Sequence, residues 1–187
     1  KALDESLFEL PKVKQNNSKK RVMVEFSQPN THKEFHVGHA RNVCLGDSLS
    51  RIYNYLGYDL IAANYIGDEG THVAKCLWQA DKDKDELKES GLNKAYWYGQ
   101  KYVKATKTLS EADDATRKSY EKEISTVLSA IESQKGEWYK TWQTSQKLCL
   151  EEFKKIYKWL DVHFDHYFFE SEMSTEGQKI VDEFVDQ

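Results

Sequence analysis

The chain has 187 residues, of which 39% are hydrophobic and 31% charged, with a net charge of −4. That balance excludes a disordered chain, no apolar run approaches membrane-spanning length, and no overall basic field marks a nucleic-acid binder. Cys44, Cys76 and Cys149 lie far apart with no CxxC, which fits a reducing compartment and predicts a cytoplasmic protein.

Residues 1–20 read as a charged lead-in. "RVMVEF" (Arg21–Phe26) is a short β-branched run and predicts a buried strand. "SQPNTHKE" follows as a loop, with Pro29 and Asn30. From His36 the period becomes helical: Leu45, Leu49, Ile52 and Leu56 recur beside Val43, and Gly57 supplies the stop. "YDLIAANYI" (Tyr58–Ile66) predicts a second strand, broken by "GDEG" (Gly67–Gly70). Residues 21–66 therefore predict a β-loop-α-β unit with parallel strands and a right-handed crossover.

"DKDKDELKES" reads as a solvated charge run, and Lys94 to about Trp159 as two or three long amphipathic helices. "WLDVHFDHYFF" (Trp159–Phe169) alternates in the manner of a strand. "STEGQKIVDEFV" then predicts a helix capped by Ser174 or Thr175. The expected fold is α/β: the first half of a Rossmann-like parallel-sheet domain with a largely helical insertion. Its parts are a lead-in (1–20), the first β-α-β part (21–75), a helical insertion (76–158) and a truncated return segment (159–187). The start at Lys1 and the amphipathic run at the end predict a piece of a longer protein.

Ligands of such sheets bind at the carboxyl ends of the strands, over helix N-termini. "PNTHKEFHVGHARN" (Pro29–Asn42) lies there. His36 and His39, three apart, share a face of the first helical turn. Two readings are open: polar residues opening a surface helix, or two imidazoles aimed at one anion beside the unpaired amides of the helix start. Gly38 lets a flat ring approach the backbone. Glu25, at the end of the first strand, suits a guanidinium or ammonium ligand. Phosphate loops of the G-x-x-x-x-G-K-[ST] and G-x-G-x-x-G types do not occur.

The stretch from Val24 to His72 resembles the signature region of class I arginyl-tRNA synthetases. The matching residues are Val24-Glu25-Phe26-Ser27, Pro29-Asn30, Lys33, His36-Val37-Gly38-His39, Gly46-Asp47 and Asn64-Tyr65-Ile66-Gly67-Asp68. "LEEFKKIYKWLDVHFDHYFFES" resembles the family's return segment. The resemblance implies a synthetase that joins L-arginine to ATP, with Mg2+, and passes the arginyl group to tRNA(Arg). It implies ATP contacts for His36, Gly38, His39 and Lys33, with His36 and His39 stabilising the adenylation transition state. It implies arginine contacts for Glu25, Ser27 and Asn30. The residues themselves predict no protein metal site and no membrane partner.

The sequence also departs from the family. Gln28 stands where many relatives carry serine, Glu69 where many carry tryptophan, and His72 where glutamine is usual. The family's second, lysine-rich signature is absent, so the chain holds at most half of an active site and is expected to be inactive alone. The alternatives are another HxGH nucleotidyl transferase or class I synthetase, and a non-catalytic synthetase-like binding module. His72 and Cys76, at i and i+4, read as packing residues rather than a metal pair. Asp161, His163 and Asp165 read as one half-solvated strand face. The aromatics of "KAYWYGQKYV" and "GEWYKTW" read as helix packing rather than nucleotide stacking.

Overall fold

A computed structural model describes residues 20–86 and 93–185. Most of the lead-in, and the end of the charge run, lie outside the described residues. Among the described residues three strands form a parallel sheet in the order β1-β2-β3. They are β1 (Arg21–Glu25), β2 (Asp59–Ile66) and β3 (His166–Phe169). Helix α1 (Val37–Tyr55) links β1 to β2, giving the expected β-loop-α-β unit. Gly57 ends it at φ 81°, a left-handed conformation that costs glycine least.

The expected buried character of β1 is corrected. The strand alternates, with Arg21, Met23 and Glu25 exposed and only Val22 and Val24 half-buried. Among the described residues β1 pairs only with β2, so its other edge and one face stay open. In α1 the expected period holds, but most of its leucine stripe does not face inward. Leu45, Leu49 and Ile52 are about half exposed, while Val43, Gly46 and Ser50 face inward. The cause is close approach. A Cβ on Gly46 would lie 2.1 Å from Phe26 Cγ, so the helix rests its smallest residue on that ring.

Helices α2 (Thr71–Lys82), α3 (Lys94–Glu111), α4 (Asp114–Glu132) and α5 (Gly136–Trp159) build the larger core. Leu77, Trp97, Val127 and Trp142 lie in it, so these aromatics are packing residues. Asn93 and Asp113 cap α3 and α4 through their side-chain oxygens. Buried Lys101 bonds Asp83 at 2.8 Å, also bonds Glu86, and sits 4.8 Å from the centre of the Trp97 ring. Cys76 donates to Tyr98 O at 3.0 Å, in keeping with the packing reading of that thiol.

The return segment differs from its expected form in two places. Trp159 ends α5, Asp161 takes φ 55°, and only His166–Phe169 is strand. Asp161, His163 and Asp165 therefore do not share a strand face. Asp161 meets Arg51, while Asp165 accepts from Ala62 N at 2.8 Å. Helix α6 (Glu170–Val185) begins four residues before Ser174. Its start is capped from outside: Ser171 N donates to Asp68 Oδ1 at 2.9 Å, and Ser171 Oγ to Asp68 Oδ2 at 2.7 Å. An acceptor supplied by the loop after β2 removes the need for a local cap residue.

Candidate active site

The loop between β1 and α1 is held in an unusual path. Ser27, Gln28 and His32 all have positive φ, at 76°, 52° and 61°. Such conformations persist only where the surroundings over-determine them. Here buried hydrogen bonds do so. Ser27 Oγ lies 2.7 Å from the Tyr157 hydroxyl, which accepts from Asn64 Nδ2 at 3.1 Å. Asn64 Oδ1 takes Gln28 N at 3.1 Å. Thr31 N donates to Gly67 O, and Gly67 N to Pro29 O.

His32 fixes the far end of the loop and was not singled out by its sequence. It is fully buried, with Nε2 2.8 Å from Ser145 Oγ and Nδ1 2.9 Å from Thr31 Oγ1. Ser145 Oγ donates to helix carbonyls, so it accepts from a neutral Nε2–H. Burial first, then the neighbouring His72, depress His32 to about 3. His72 is itself pushed down to about 4 by burial and by Lys33. No group of three or more metal-binding side chains lies together among the described residues.

His36 and His39 form the start of α1 in an unexpected way. His36 is the N-cap and His39 the third helical residue. His36 Nδ1 accepts from Gly38 N at 3.0 Å, and His39 Nδ1 accepts from His36 N at 3.2 Å. The pair is a capping box in which two imidazoles replace the usual hydroxyl and carboxylate. Some of the amides expected to be free for an anion are thus taken. Accepting through Nδ1 leaves each neutral ring with its proton on Nε2. The rings lie 4.0 Å apart between centres, tilted by 33°. Burial, His36 and Lys33 hold His39 below the usual imidazole range. A Cβ on Gly38 would come 2.8 Å from His36 Cε1, so that glycine first makes room for its neighbour's ring. Lys33 Nζ sits 5.0 Å from the centre of the Tyr102 ring.

The carboxyl ends of the three strands gather acids. Glu25 ends β1 and accepts from Gln28 Nε2; no cation pairs with it among the described residues. Asn30 bridges to Gly67 after β2, and a Cβ on Gly67 would lie 2.1 Å from Asn30 Oδ1 and 3.5 Å from Glu170 Oε2. Asn30 and Glu170 therefore converge over a glycine that has to stay bare. Burial raises the Tyr65 phenol, and the charges of Glu170, Asp68, Glu25 and Glu69 raise it further. Burial and the charges of Glu132, Asp68 and Glu170 hold Glu69 above the usual carboxylate range, and burial and Asp68 hold Glu170 above it. The strand ends thus gather negative charge.

The structure brings Glu25, Ser27 and Asn30 to this acidic end, and His36, Gly38 and His39 to the helix start that follows the same loop. Tyr65, Asp68 and Glu170 join the site, though the sequence alone assigns them no ligand role. Glu170 and Asp68 do stand in stretches that carry the resemblance. Tyr157 and His32 stand in such stretches too, but nothing local in the sequence marks them as supports of the loop.

The profile of the family described as "tRNA synthetases class I (R), catalytic domain" matches residues 3–187. An arginine–tRNA ligase of Bdellovibrio bacteriovorus is 39% identical over 174 residues, covering 92% of this chain and 29% of that protein. One from Fusobacterium nucleatum is 34% identical over 173 residues, covering 91% and 29%. The solved arginyl-tRNA synthetase of Thermus thermophilus superposes with a TM-score of 0.71 at 26% identity, over 89% of this chain and 26% of that one. The Plasmodium falciparum enzyme, at 23% identity and TM-score 0.64, shares the fold over 91% and 28%. The chain spans about 29% of the length of the curated relatives it matches. With its HxGH helix start, its acidic strand ends and a match along nearly its whole length, the chain belongs to the class I arginyl-tRNA synthetase family and lies within the catalytic domain.

Proposed function

We propose that the protein containing this chain is an arginine–tRNA ligase of the cytoplasm. It would activate L-arginine with ATP and pass the arginyl group to tRNA(Arg). The observation that carries this reading is the pairing of two opposite sites on one loop. The acidic strand ends suit a cation, and the neutral imidazole pair offers Nε2–H donors to a phosphate. Arginine is the cationic amino acid whose planar fork matches carboxylates.

In this reading Glu25 and Asn30 hold arginine, and Ser27 shapes their loop through Tyr157. The arginine carboxylate attacks the α-phosphorus of ATP in line, a new O–P bond forms, and pyrophosphate leaves with the electrons of the broken bond. His36 and His39 donate to the phosphate oxygens as charge builds, while Lys33 and Gly38 serve ATP. Positioning and preorganised donors carry most of such a step. The terminal 2′-hydroxyl of tRNA(Arg) then attacks the activated carbonyl and releases AMP. Mg2+ is assigned to the triphosphate rather than to a protein cage. Residues 21–75 and 159–187 are read as catalytic-domain parts and 76–158 as an insertion; α2, at 71–82, runs across the first boundary.

The test is arginine-dependent ATP–pyrophosphate exchange, with tRNA added, on the full-length protein. Exchange specific for arginine that falls about 10²–10³-fold in His39→Ala supports the reading. Absence of exchange with every amino acid would leave the fold without this chemistry. Residues 1–187 alone are expected to make little or no arginyl-tRNA.

A further inference from the structure

A groove between α5 and β3 lies outside the residues assigned to ATP and arginine. Its inner chamber, about 220 Å³, is walled by Ile66, Leu150, Phe153, Tyr157, Tyr167 and Phe169. Its outer mouth, about 360 Å³, shares Lys154, Tyr157 and Tyr167 with the chamber and adds Lys158 and His163. The two adjoin: they share Lys154, Tyr157 and Tyr167, and Leu150, Lys154, Tyr157 and Lys158 follow one stripe of α5 at helical spacing.

The mouth is cationic. Lys154 and Lys158 stand one turn apart, and among the described residues neither has an acid partner. The ion pairs along α5 are instead Lys140–Glu137 and Lys155–Glu152. Asp161, at the same mouth, faces Arg51 at 3.5 Å. Asp165, beside His163, accepts from Ala62 N at 2.8 Å. Two ammonium groups are left over an apolar hole. An apolar cavity of about 150 Å³ is enough to take benzene, so this chamber admits a phenyl group with room for a short linker.

We propose that this groove binds a small aromatic acid, with its ring in the chamber and its carboxylate between Lys154 and Lys158. The chamber supplies apolar burial, and the lysines select charge. A matching amine meets two like charges, and a larger acid meets Phe153 and Phe169. The site stands independently of the arginine-activating reading.

The probe is 3-phenylpropanoate, titrated into the full-length protein and followed by ligand-observed NMR, with 3-phenylpropylamine as the charge-reversed control. The acid is expected to bind at least about tenfold more tightly than the amine, since two like charges meet the amine at the mouth. Lys154→Glu combined with Lys158→Glu changes only surface groups and is expected to weaken the acid at least about tenfold, with arginine exchange unchanged. Leu150→Trp fills the chamber and is expected to abolish binding. No binding at millimolar acid, equal binding of acid and amine, or unchanged affinity in the double variant would each overturn the proposal.

Discussion

Lowering the pH should loosen the loop that carries the site, through His32. This imidazole is fully buried and neutral, bridging Thr31 and Ser145. Its proton affinity falls from 6.5 to about 3 in the folded protein. The unfolded chain therefore binds a proton first as the pH drops, and folded stability falls from about pH 6.5 down to about pH 3. Between pH 6.5 and pH 5 the difference is about 1.5 units at about 1.4 kcal/mol each, a loss of about 2 kcal/mol. The comparison is His32→Asn, because asparagine tolerates the positive φ but cannot titrate. Urea unfolding of the full-length protein, followed by tryptophan fluorescence at pH 7, 6 and 5, reads both. The variant should be less stable at pH 7, having lost its reach to Ser145. Its stability should also fall less steeply, by about one proton per molecule. His72, depressed to about 4, adds its own slope to both proteins, so the difference isolates His32. Equal slopes for the two proteins would refute the argument.

Gly46→Ala places a methyl 2.1 Å from Phe26 Cγ and should cost about 1–3 kcal/mol as overpacking, seen as a lower Tm that Phe26→Leu partly restores. Tyr157→Phe removes the hydroxyl between Ser27 and Asn64, leaves buried polar groups unpaired at about 1–3 kcal/mol, and should raise KM for arginine more than for ATP. Lys101→Met strips a buried cation from Asp83; the loss should be about 3 kcal/mol, at the low end for a broken buried pair because Lys104 and Gln79 still bond that carboxylate. His39→Asn keeps a short acceptor for His36 N but loses Nε2–H, so pyrophosphate exchange should fall as far as in His39→Ala while Tm falls less.

The elements legible in the sequence are those whose signals are local. β1, α1 and β2 are marked by a change of period and by Gly57, and all three form where the residues place them. What periodicity leaves open is the partner of a face. The stripe of Leu45, Leu49 and Ile52 reads as a core face, yet the helix turns Gly46 and Val43 inward because Phe26 needs a bare contact. The alternation of residues 159–169 fails for a related reason: apolar Phe164 is buried, and Val162 half-buried, from a loop without a pleat. Ser174 misleads because the acceptor for the α6 start is Asp68, about a hundred residues earlier in the chain.

The site divides along the same line. Glu25, Asn30 and the two histidines stand within one short stretch, and chemistry at a strand end points to them. Their supports do not, since Tyr157 reaches Ser27 across 130 positions and Ser145 reaches His32 across 113. The histidines themselves carry two meanings that sequence cannot separate. A polar pair opening a helix and a phosphate site are usually rival readings, but in the proposed function one geometry serves both. Capping consumes Nδ1 of both rings and leaves the proton of each neutral ring on Nε2. A donor meant to follow developing charge gains most when it is already aimed, and the helix start aims it. That coupling also gives Gly38 a reason to be bare before any nucleotide arrives: a side chain there would push His36 out of its cap and out of line with its partner.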